Sequence, residues 1–170
     1  MTITIYEGIA LALIRTFNMN LNTADRRFSV LLSRPTPTTV LGTSNATSLA
    51  ERVRMANEWP ADYFISIHAN ANVNPAINGA EIYIYQYNTQ AHWLAQQIMD
   101  AIVHFTALNN NGIRINQSLY VLRRTNMPSL LIEMGYLTNE QDAAILRDDQ
   151  WLIAYAIYIG ILNYFGFEPI

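Results

Sequence analysis

The chain has 170 residues, 51% hydrophobic and only 14% charged, a balance that excludes a disordered polymer and supports one domain over residues 1–170. Its net charge of −3, with ten arginines, no lysine and only short Arg-Arg pairs, offers no clustered basic surface, so nucleic acid is not an expected partner. The absence of cysteine excludes disulfides, thiolate metal sites and a cysteine nucleophile.

In chain order, residues 2–6 alternate like a short strand. Glu7 then opens an apolar run, 9–14, that lacks the positive start and small-residue cleavage site of a secretion signal, so a helix is expected over 7–19. A strand is expected over 28–33. Residues 35–47 hold two prolines, a glycine and five threonines and read as a loop. Ser48 with Glu51 has capping-box spacing, so a helix is predicted from there to residue 59. Strands are predicted over 63–68 and 80–87, a helix over 90–108, a turn over 109–112, strands over 119–122 and 129–133, and helices over 140–147 and 150–164. The last helix is uncharged, but its fifteen residues fall short of the roughly 20 that cross a bilayer. No membrane span is expected, and a buried C-terminal helix is. The alternation predicts an α/β fold: a single twisted, mostly parallel (mixed) sheet flanked by helices on both faces.

Two strands carry the candidate chemistry. The run Tyr63-Phe64-Ile65-Ser66-Ile67 ends in His68, followed by Asn70, Asn72 and Asn74. The run Ser129-Leu130-Leu131-Ile132 ends in Glu133. Open α/β sheets place their sites at the carboxyl ends of strands, so an imidazole and a carboxylate delivered this way read as one shared site. Each also has a plainer reading, His68 as a hydrogen-bonded structural residue and Glu133 as a solvated carboxylate. Glu81, at a strand start, is expected to serve as a structural hydrogen-bonding group. His92 and His104 fall at surface or packing positions of the 90–108 helix. Arg123 either holds a substrate carboxylate through its planar fork or covers Tyr120.

Six blocks occur in one order: SLAERVRMAN (48–57), SIHAN (66–70), NGAEIY (78–83), LYVLR (119–123), Met127-Pro128 and IEMGYLTN (132–139). In that order they resemble the zinc-dependent N-acetylmuramoyl-L-alanine amidases of the amidase-3 family, from about residue 6 to the end of the chain. Asn70 and Arg123 are expected as substrate contacts; the resemblance implies Glu7 and His68 as zinc ligands and Glu133 as general base and acid. It implies peptidoglycan as the partner and the cell wall, periplasm or cell exterior as the place of action. Arg34 matches the family's Thr-Arg position, with Ser33 replacing the threonine.

One family block, Asp-x-Gly-His-Gly-Gly on the first strand, is not found ahead of Glu7, and with it goes one histidine ligand. The chain is therefore expected to be an amidase domain truncated at its N-terminus, with loosely held zinc and impaired activity. A non-catalytic peptidoglycan-binding or regulatory relative is the alternative, and a purely structural α/β domain the third reading. The missing strand is also expected to expose a sheet edge inviting homo-oligomers, unless residues 2–6 cover it.

Overall fold

The computed structural model describes residues 2–7, 27–36 and 38–169, with 2–7 described as backbone course only. Its strands are β1 (Thr2–Glu7), β2 (Ser29–Leu32), β3 (Tyr63–Asn70), β4 (Ala80–Ile84), β5 (Asn110–Ile115) and β6 (Ser129–Tyr136). They form one sheet in the order β2-β1-β3-β6-β4-β5. The first four in that order run parallel; β4 lies antiparallel to β6, and β5 parallel to β4. This is the mixed, mostly parallel sheet expected. β1 sits between β2 and β3, so residues 2–7 fill the position at which an open edge was expected.

Helices cover both faces, as the near-continuous apolar runs of β3 and β6 require. On one face α2 (Gln90–Phe105) and α5 (Gln150–Phe165) enclose the larger core, with Ile65, Ile67, Ile82, Ile84, Leu130 and Ile132 turned toward them. The C-terminal helix is buried as predicted. It packs so closely on α2 that a Cβ on Gly160 would lie 2.5 Å from Ile98 Cα, which makes glycine necessary there. On the other face α1 (Asn45–Glu58) and α3 (Tyr120–Arg124) cover Phe64 and Leu131 through Val53, Ala56, Val121 and Leu122. α4 (Glu140–Asp148) follows β6. Among the described residues no helix is long and apolar enough to cross a membrane.

Several local expectations are corrected. The capping box at Ser48 and Glu51 is not used. α1 starts earlier, with Ser44 accepting from Thr47 N (3.2 Å) and Thr47 Oγ1 accepting from Ser44 N (2.9 Å). Threonine completed the box that glutamate was expected to close. Residues 110–115, partly read as a turn, form β5, because β4 supplies the hydrogen-bonding edge that a polar Asn-Asn-Gly start conceals. Residues 119–122, read as a strand, instead enter α3: their β-type side chains are satisfied by packing Val121 and Leu122 into the smaller core. Glu7 was expected to open a helix, but it closes β1; the rest of that predicted helix lies outside the described residues.

Candidate functional site

His68 and Glu133 occupy facing positions on the adjacent parallel strands β3 and β6, and Glu81 faces Glu133 across the antiparallel pair of β4 and β6. In-register residues on neighbouring strands share a face. The imidazole and two carboxyls therefore form one row across the sheet, on the side covered by α1 and α3. Neither His68 nor Glu133 ends its strand as the sequence suggested. β3 continues to Asn70 and β6 to Tyr136, with a register irregularity between His68 and Asn70. Gly135, at φ +139°, lets β6 pass against Asp142, whose Oδ2 accepts from Tyr136 N (2.9 Å) and Gly79 N (2.7 Å). That one buried carboxylate ties the end of β6 to the start of β4, setting Glu133 and Glu81 beside each other.

The surroundings differ along the row. His68 Nε2 shares a hydrogen bond of 2.9 Å with Ser66 Oγ. Burial, aided by the positive charge of Arg52, lowers its pKa to about 4, so the ring is neutral at physiological pH. Burial and then the negative charge of Glu81 raise Glu133 to about 7. Glu133 Oε2 is buried with no hydrogen-bond partner among the described residues. Glu81, 1% exposed, is saturated: Oε1 accepts from Asn70 Nδ2 (3.0 Å) and from the Tyr136 hydroxyl, and Oε2 accepts from the Tyr83 hydroxyl (3.0 Å) and lies 3.2 Å from Arg114 Nε. The structural hydrogen-bonding role expected of Glu81 is thus observed.

The other predicted site residues are placed less tightly. Glu7 ends β1 in register with Ile67, one position before His68. Asn70 lies at the end of β3 and is engaged with Glu81. Arg123 is exposed on α3 and lines a separate cavity of about 470 Å³ with Tyr85, Gln90, Met127 and Ser129. Ser129 lies four residues, about 13 Å of strand, from Glu133. That cavity includes none of His68, Glu81 or Glu133. His92 accepts from Asn88 N at 3.2 Å and packs against Tyr87 and Trp93, while His104 packs against Phe105, both as expected.

Zinc can be tested against the donors present. A neutral buried imidazole next to an orphaned carboxylate oxygen is suitable in kind. In number the donors fall short, since among the described residues no three His, Cys, Asp or Glu side chains gather at one point. Three groups at the site were missed from sequence. Arg52 and Tyr136 lay inside quoted blocks but carried no sign of a role; Arg114 enters through β5, which was not foreseen in full.

Residues 6–163 match the N-acetylmuramoyl-L-alanine amidase family Amidase_3. The chain is 36% identical over 154 residues to the N-acetylmuramoyl-L-alanine amidase LytC of Bacillus subtilis, covering 86% of this chain and 30% of that protein. It is 35% identical over 161 residues to an uncharacterized cell wall amidase of Bacillus anthracis, covering 84% of this chain and again 30% of the relative. The chain thus spans under a third of the length of both. The fold superposes on the catalytic domain of CwlV, an N-acetylmuramoyl-L-alanine amidase from Bacillus (Paenibacillus) polymyxa var. colistinus, with a TM-score of 0.82 and 27% identity, covering 99% of this chain and 100% of that one. It has the same fold as the CwlD amidase of Clostridioides difficile in complex with the GerS lipoprotein, with a TM-score of 0.84 at 24% identity, covering 97% and 98% of the two chains. A sheet with the ordered amidase blocks on its strands and helices, matched along nearly its whole length, makes this chain a member of the N-acetylmuramoyl-L-alanine amidase family.

Proposed function

We propose that the chain hydrolyses the amide joining the lactyl group of N-acetylmuramic acid to L-alanine in peptidoglycan, acting at the cell wall. The observation that carries this reading is the facing pair His68 and Glu133, in which Glu133 has a pKa of about 7 and one buried oxygen without a partner among the described residues. A carboxyl poised near neutrality can accept a proton from the attacking water and return it to the leaving amine. A neutral imidazole is the form of histidine that ligates a metal.

Zinc is the proposed cofactor, with His68 as its protein ligand and Glu7 as the second that the resemblance implies, although the register of Glu7 with Ile67 gives it the opposite parity to His68 along the sheet. When bound there it would supply Lewis acidity toward the scissile carbonyl. Two protein ligands are fewer than the three usual in catalytic zinc sites, so the metal is expected to be held loosely and the activity to be impaired. Asn70 and Arg123 are the proposed substrate contacts. Muropeptide hydrolysis by the purified chain, with and without added zinc, tests the reading. Zinc-stimulated release of alanyl peptides that Glu133→Gln abolishes supports it.

The shortfall of metal donors among the described residues favours a second reading, a non-catalytic peptidoglycan-binding relative. Retention on insoluble peptidoglycan without any zinc-dependent release would select it.

A further inference from the structure

The sheet ends at β5, which among the described residues has a single neighbour, β4. Over 113–115 the ladder is regular, with Ile82, Tyr83 and Ile84 in register with Ile113, Arg114 and Ile115. Asn116 N donates to Ile84 O at 3.0 Å. A strand turns the backbone groups of alternate residues toward each side, so Arg114 and Asn116 address β4, while Ile113 and Ile115 present their N–H and C=O to the open side. Free edges of this kind accept strands from other chains.

The stretch carries little of the usual protection. Residues 113–115 hold no proline, lysine or carboxylate, and Ile115 is 45% exposed. One side chain does reach the open side. The Tyr87 hydroxyl donates to Ile113 O at 2.9 Å. Its ring packs edge to face on His92, 5.1 Å away, and the Nδ1 of that histidine accepts from Asn88 N at 3.2 Å.

The edge is also self-complementary. If two copies of β5 pair antiparallel about a twofold axis at Ile113, the two Ile113 residues form a hydrogen-bonded pair that exchanges both N–H···O bonds. Each Arg114 then lies opposite a Gly112, so the two guanidinium groups do not face each other. That pairing needs the carbonyl that Tyr87 occupies.

We propose that Tyr87 closes the β5 edge: its hydroxyl, seated on the Ile113 carbonyl, keeps a second copy of this chain from adding its own β5 to the sheet. The inference goes beyond the amidase reading and does not depend on it.

Sedimentation of the full chain over a range of concentrations is the test. Tyr87→Ala is expected to dimerise roughly tenfold or more tightly than wild type, the effect of about one net hydrogen bond. Tyr87→Phe, which keeps the ring against His92, should shift the same way by less. In the Tyr87→Ala dimer, hydrogen exchange at the Ile113 and Ile115 amides should slow relative to the monomer. Adding Ile115→Pro, which deletes an outward N–H and no bond to β4, should restore the monomer. Tyr87→Ala and Tyr87→Phe both associating no more than wild type overturns the proposal. So does a Tyr87→Ala dimer that survives Ile115→Pro or whose two amides exchange as fast as in the monomer.

Discussion

Glu81 and Glu133 stand opposite each other on antiparallel strands, yet only Glu81 is provided with donors. Asn70, Tyr83, Tyr136 and Arg114 converge on its two oxygens, while Glu133 Oε2 has no partner among the described residues. Two like groups side by side thus stand in contrasting environments, one saturated with donors and one with a buried oxygen that has no partner among the described residues.

That division predicts contrasting variants. Glu81→Ala strands several buried donors and should destabilise the fold by about 2–3 kcal/mol, the cost of unsatisfied polar groups plus lost charge-assisted bonds. Glu133→Gln should leave the melting temperature within a few degrees of wild type while removing amidase activity. A denaturation curve and a muropeptide assay on the same two preparations check both; a large stability loss in Glu133→Gln would reassign it to the fold.

The pKa shifts predict opposing pH effects on the stability of the metal-free protein. His68 is lowered from 6.5 to about 4, so its contribution to folding is complete above pH 6.5 and is lost as pH falls toward 4. Glu133 is raised from 4.5 to about 7, so stability on its account is greatest below pH 4.5 and declines as pH rises toward 7. In wild type the two slopes largely cancel. Chelator-treated Glu133→Gln should grow more stable from pH 4 to 6.5, and chelator-treated His68→Gln less stable from pH 4.5 to 7. Identical pH profiles in the two variants would contradict the assignment.

Zinc binding should be weak and removable by brief chelation, with His68→Ala abolishing it. Metal analysis after dialysis reads this directly. Tight one-to-one zinc that survives His68→Ala would show that the metal lies elsewhere.

Gly160→Val should destabilise the protein by at least about 1–3 kcal/mol, the usual cost of overpacking, because the Cβ meets the backbone of α2 at Ile98 and Gln97 rather than a flexible side chain. Thermal melting of the variant measures the loss, which should appear without any change in zinc affinity.

What the sequence determined alone was the alternation of elements, the burial of the C-terminal helix and the residues that line up as site candidates. These follow from local signals: apolar runs in β3 and β6, a helical stretch apolar on all sides, and polar residues interrupting the strands at His68 and Glu133. What only the tertiary structure decided was who stands next to whom. The facing of Glu133 by Glu81 depends on β4 running antiparallel to β6, a choice between nearly equal pairings that no single strand encodes. The conversion of 119–122 from expected strand to helix depends on the space beneath Val121 and Leu122, and β5 on the free edge of β4. Arg52 became a site residue only when α1 laid it beside Ser33 and His68, nineteen and sixteen positions away along the chain. Strand and helix propensities act over a few residues, whereas the electrostatics of a buried site is set by neighbours that the chain brings together from afar.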